Sequence, residues 1–148
     1  MLALILSVIM NIEADFVQIK QSQMLSKPQQ TQGHFVYRAP KYLRWEYTQP
    51  EKMVWEIDDE KTNANPQVKR LLELIIKSIS GDYLTTNDDF DVLQNENIYT
   101  LTPKKREIKN FFTSMQITLD ERTKLASEVI MNEKNNDKTT IIFKYVER

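Results

Sequence analysis

Apolar positions along the chain change period twice. In residues 2–10 (LALILSVIM), Leu2, Ile5, Leu6 and Ile9 fall at i, i+3, i+4 and i+7, one face of a short helix. The same run resembles the apolar part of a secretory signal, but it lacks a basic start and a small-residue cleavage site before Glu13. It is shorter than the about 20 apolar residues a membrane-spanning helix needs. The helix is the preferred reading, and a trimmed or misassigned signal is the other.

From residue 14 the period approaches two. ADFVQIKQS (14–22) predicts a strand, SKPQQTQ (26–32) a polar loop, and GHFVYR (33–38), YLRWEY (42–47) and MVWEI (53–57) three further strands. Proline marks the turns APK (39–41) and TQPEK (48–52). DDEKTNANP (58–66) reads as a loop. The period then returns to helical: Val68, Leu71, Leu72, Ile75, Ile76 and Ile79 share one face through Ser80, and Gly81 stands where a helix stops. Beyond it, 87–94 and 97–104 predict a hairpin turning at Asn95-Glu96. A strand is expected within 108–121, carrying Met115, Ile117 and Leu119. The last hairpin pairs 125–134 with 139–147 across Asn135-Asn136-Asp137, where asparagines can take left-handed conformations. The sum is eight or nine strands, a short first helix and a longer central one. It predicts an α+β fold dominated by an antiparallel meander, in one domain over residues 1–148.

Composition narrows the chemistry. Among 148 residues there is no cysteine, one histidine and two glycines. Thiol catalysis, disulfides, Cys- or His-rich metal sites and glycine-rich phosphate loops are therefore excluded. A net charge of −1 does not favour nucleic acid. His34 has no serine or carboxylate in a motif relation to it and reads as an ordinary strand residue. The acids at 58–59 and 88–91 lack the spacing of a calcium loop and read as turns. Lys104, Lys105, Arg106 and Lys109 can touch phosphate or lipid head groups, but a solvated strand end accounts for them better.

The aromatic distribution says more. Of 14 aromatics, six lie between residues 35 and 55. Phe35, Tyr37, Trp45, Tyr47 and Trp55 alternate along three successive strands and so share a sheet face, which Phe16 can join. An ordinary core and an apolar pocket share this signature.

These residues also carry a resemblance. Phe16, Gln18 and Lys20, then Gly33, Phe35 and Tyr37, then Pro40, Arg44, Trp45, Tyr47 and Pro50 follow the pattern of the LolA family, carriers of outer-membrane lipoproteins. Leu101-Thr102-Pro103-Lys104 matches a later family element, and the likeness runs over about residues 8–147. It implies a curved antiparallel half-barrel covered by a helical lid, with an apolar cavity between them. The implied cavity wall is Phe35, Tyr37, Leu43, Trp45, Tyr47, Met53, Trp55 and Ile57, and the lid side is Leu72, Ile75, Ile76 and Ile79.

The implied activity is transfer rather than catalysis. Acyl chains crossing water expose methylenes at about 0.8 kcal/mol each, so a carrier must supply a matched apolar surface. The lid then opens and closes to load and release. The partners implied are lipoprotein acyl chains or other amphiphiles, an inner-membrane lipoprotein-releasing transporter and an outer-membrane receptor. The location implied is the periplasm, and the chain is expected to act as a monomer without cofactor, metal or nucleic acid. Three departures stand out. Ala39 occupies the place of a lid-holding arginine, with Arg38 one residue earlier; the 58–66 loop looks short; and the family's segment after the last hairpin is missing. A sensor module of the same fold that binds a lipid or a membrane-protein partner is the alternative function. A sheet protein without a ligand is a third.

Overall fold

The computed structural model describes residues 11–58 and 61–146. The expected helix over 2–10 lies outside the described residues. Among the described residues, nine strands form one antiparallel sheet: β1 (Asn11–Gln21), β2 (Gln29–Arg38), β3 (Tyr42–Gln49), β4 (Met53–Ile57), β5 (Phe90–Asn95), β6 (Ile98–Pro103), β7 (Ser114–Leu119), β8 (Ala126–Asn132) and β9 (Lys138–Tyr145). Their order is β4-β3-β2-β1-β9-β8-β7-β6-β5. The sheet is open, with β4 and β5 as its edges. The chain between those edges must cross one face of the sheet, and that crossing carries helix α1 (Pro66–Ser80). An open half-barrel under a helical lid follows from this connectivity. Antiparallel pairing puts the β1–β2, β3–β4 and β8–β9 turns at one end of the sheet, here the hairpin end, and the β2–β3 turn at the other.

Helix α1 has the termini its sequence announces. Asn65 Oδ1 accepts from the Val68 N–H (2.8 Å), Pro66 occupies the first turn, and Gly81 (φ 93°) donates its N–H to the Lys77 carbonyl. The buried arc is wider than the predicted stripe, because Leu74 and Ser78 are also fully buried. Ser78 is tolerated there because its hydroxyl donates to the Leu74 carbonyl (2.8 Å) and lies 3.2 Å from Met115 Sδ.

Two expectations change. Residues 29–32, read as loop, extend β2: Gln29, Gln30, Thr31 and Gln32 pair with Lys20, Ile19, Gln18 and Val17. Backbone pairing decides that stretch, and its glutamines hide it from a hydrophobic pattern. One turn of helix, α2 (Arg106–Lys109), interrupts the approach to β7 and buries Ile108. Asn135 (φ 63°) and Asn136 (φ 62°) take the left-handed conformations anticipated for the last turn.

Candidate functional site

Register fixes which side chains share the helix-covered face. Phe35 opposes Trp45, which opposes Trp55; Tyr37 opposes Leu43, which opposes Ile57; Gly33 opposes Tyr47, which opposes Met53. Directly opposed residues point the same way, so all eight residues of the expected wall lie on one face.

These eight divide into three groups. Phe35 and Trp45 are fully buried in a stack: Phe16 lies 4.4 Å from Trp45, Trp45 5.4 Å from Phe35, and Phe35 meets Phe143 edge-on at 5.8 Å. Gly33 makes the stack possible. It opposes Phe16, and a Cβ there would stand 2.3 Å from Phe16 Cζ and 2.2 Å from the Glu46 carbonyl oxygen. Tyr47 and Trp55 are half-buried, 5.7 Å apart and edge-on. The Tyr47 hydroxyl, its pKa raised chiefly by burial, donates to Gln18 Oε1 (3.1 Å). Met53, opposite Tyr47, completes this second group and is 52% exposed at the start of edge strand β4.

The third group, Tyr37, Leu43 and Ile57, lines a cleft of about 320 Å³ with Ile76 of α1. Pro40 and Lys41 of the β2–β3 turn, Asp58, and Lys69, Glu73 and Lys77 of the helix complete it. Four of the twelve expected site residues therefore meet at this cleft. Leu72, Ile75 and Ile79 are buried along the underside of the helix. The charged rim escaped sequence reading, although Lys69, Glu73, Ile76 and Lys77 fall at i, i+4, i+7 and i+8. That spacing marks the flank beside the apolar stripe. The size sits at the small end of ligand pockets, about 300–1,000 Å³, and an apolar floor under a polar rim suits an amphiphile.

The other flank of the helix is closed. Ser78 touches Met115 of β7, and Arg70 pairs with Glu107 of α2 (3.0 Å). Next to α2, Phe112 stacks 6.1 Å from Phe90, which meets Tyr83 at 4.8 Å. Burial, followed by the Asp89 carboxylate, raises the Tyr83 pKa to about 12. Lys105 lies 2.7 Å from Asp89, and that contact lowers the Asp89 pKa.

His34 lies on the opposite face of the sheet from the cleft. It bridges two carboxylates, with Nδ1 2.7 Å from Asp15 and Nε2 2.8 Å from Glu13. Among the described residues, no group of His, Cys, Asp and Glu side chains can hold a metal ion.

Three solved structures are similar to this chain. A LolA superfamily protein from Nitrosomonas europaea is 8% identical, with a TM-score of 0.38 over 93% of this chain and 86% of its own. A putative outer membrane lipoprotein-sorting protein domain from Vibrio parahaemolyticus is 9% identical, with a TM-score of 0.37 over 93% and 87%. A DUF1329 family protein from Desulfovibrio piger is 12% identical, with a TM-score of 0.33 over 92% and 84%. No curated protein matches the sequence. The family model described as outer membrane lipoprotein carrier protein LolA matches residues 7–148, and the chain belongs to the LolA family.

Proposed function

We propose that this protein is a non-enzymatic carrier that takes acyl chains between α1 and the β2–β4 part of the sheet. Lipoproteins crossing the periplasm to the outer membrane are the cargo. The observation that carries this reading is the cleft itself. Leu43, Ile57, Ile76 and Tyr37 supply an apolar floor open to solvent, in a chain whose family is named for lipoprotein carriage. A cargo larger than about 320 Å³ enters by lifting the cleft side of the helix, which extends the apolar surface onto Trp55 and Tyr47. An inner-membrane transporter then loads the carrier and an outer-membrane receptor unloads it. Ala39 supplies no arginine latch, and the Arg70–Glu107 pair holds the helix from its other side.

The test is titration of the purified protein with a fluorescent acyl probe, alongside lipid mass spectrometry of protein isolated from cells. The reading expects saturable binding and copurified acyl lipid. Absence of both overturns it.

A further inference from the structure

Among the described residues, six large apolar side chains are exposed, and two of them stand together at the tip of the β1–β2 hairpin. Met24 (92% exposed) and Leu25 (38%) occupy the β1–β2 turn. That turn projects beyond the β3–β4 turn: Gln29 pairs with Lys20, while the β2–β3 ladder begins only at Gln32 and Gln49. Isolated apolar residues at a surface are ordinary, but an adjacent Met-Leu pair held out at a projecting tip is free to meet a partner surface. The first turn is built to present them. Ser22 accepts from the Met24 N–H through its hydroxyl and from the Leu25 N–H through its carbonyl, both at 3.1 Å.

Charge at this end runs against the net −1 of the whole chain. Lys27 lies in the same turn, and Lys52 in the shorter β3–β4 turn beside this hairpin. Lys134 and Lys138 lie at the adjacent β8–β9 turn, since Gln21 of β1 pairs with Lys138. None of these four lysines has a carboxylate within 4.0 Å among the described residues, whereas Lys20 is 3.9 Å from Glu133. The acids at these three turns are Glu51, Glu133 and Asp137, fewer than the five lysines. Exposed apolar tips ringed by lysines complement an anionic bilayer, whose phosphates attract the ammonium groups while the tips enter the headgroup layer.

We propose that the hairpin end is a docking surface for anionic membranes. Pro40 and Lys41 of the cleft belong to the turn at the other end of the sheet, so docking leaves the cleft mouth free. The inference therefore stands apart from the carrier reading.

The test is flotation of the full chain with vesicles of phosphatidylcholine, pure or mixed with phosphatidylglycerol. The proposal expects flotation with the mixed vesicles only, weakening as salt rises. Met24→Gln/Leu25→Gln should cut the partition about tenfold or more, and Lys27→Gln about fivefold. Both variants should keep wild-type thermal unfolding and acyl-probe affinity, because these side chains project into solvent. Flotation with neither vesicle overturns the proposal and leaves the tip to a protein partner. Loss on Lys27→Gln with no change on Met24→Gln/Leu25→Gln also overturns it, since that is adsorption by charge alone.

Discussion

The two flanks of helix α1 contrast sharply. On one, Leu74 and Ser78 are buried, Ser78 touches Met115, and Arg70 reaches Glu107. On the other, Lys69, Glu73 and Lys77 stand over a cleft whose floor is Leu43 and Ile57. One helix is thus an anchor on its β7–β8 side and a mouth on its β2–β4 side. A buried apolar face does not by itself announce a binding site; a site arises where the facing surface stops short of close packing. The contrast predicts that stability and ligand affinity respond to different residues.

The largest effect is expected on the anchored side. Phe112→Ala removes a fully buried ring and should cost about 3–5 kcal/mol, read from the urea midpoint. Where the variant remains folded, its acyl-probe affinity should stay near wild type. A cost below about 1 kcal/mol would mean that this side is not tightly packed.

Behind the cleft wall, Gly33→Ala forces a methyl against the Phe16 ring and the Glu46 carbonyl. A loss of about 1–3 kcal/mol is expected, with altered near-UV circular dichroism from the Phe16–Trp45–Phe35 stack. An unchanged spectrum would show that the stack does not depend on this glycine.

Tyr37 is half-buried on the cleft floor. Tyr37→Ser should weaken the acyl probe about three- to tenfold while changing stability by no more than about 1 kcal/mol. The reverse outcome, stability lost and affinity kept, would erase the distinction between the flanks.

The smallest effect is expected at His34, remote from both. Partial burial lowers its pKa, but hydrogen bonds and charge from Asp15 and Glu13 outweigh burial and hold it above the ordinary 6.5. A raised histidine stabilises the fold fully below its unfolded value, and that contribution disappears as pH rises through the folded value. Lys144 opposes Asp15 across β9 and Glu46 opposes His34 across β3, so the bridge sits among screened charges. Stability should therefore fall slightly above pH 6.5, by no more than about 1 kcal/mol. His34→Gln should flatten that slope in urea midpoints measured across pH, with acyl affinity unaffected.

The architecture was legible where side chains carry it. Alternation at Leu43, Trp45 and Tyr47 and the helical spacing of Leu72, Ile75, Ile76 and Ile79 place β3 and α1, and Gly81 ends the helix where expected. What stayed hidden depends on the backbone or on distant partners. Gln29–Gln32 form strand by ladder pairing, and α2 is a single turn whose Ile108 meets a core that no local pattern reveals. The cleft was half legible: parity placed Tyr37, Leu43 and Ile57 on one face. It did not separate them from Phe35 and Trp45, because the division depends on where the crossing helix stops covering the sheet. Met53 shows the limit of parity, since it shares the face but stands 52% exposed at its margin.

Because the chain contains no cysteine, single thiols report on each surface separately. The most direct test labels Tyr37→Cys in the cleft and Gln116→Cys on the uncovered face of β7, with and without saturating acyl ligand. If chains enter between α1 and β2–β4, ligand should slow labelling at position 37 at least about tenfold and leave position 116 unchanged. Equal labelling at position 37 with and without bound ligand would contradict the account.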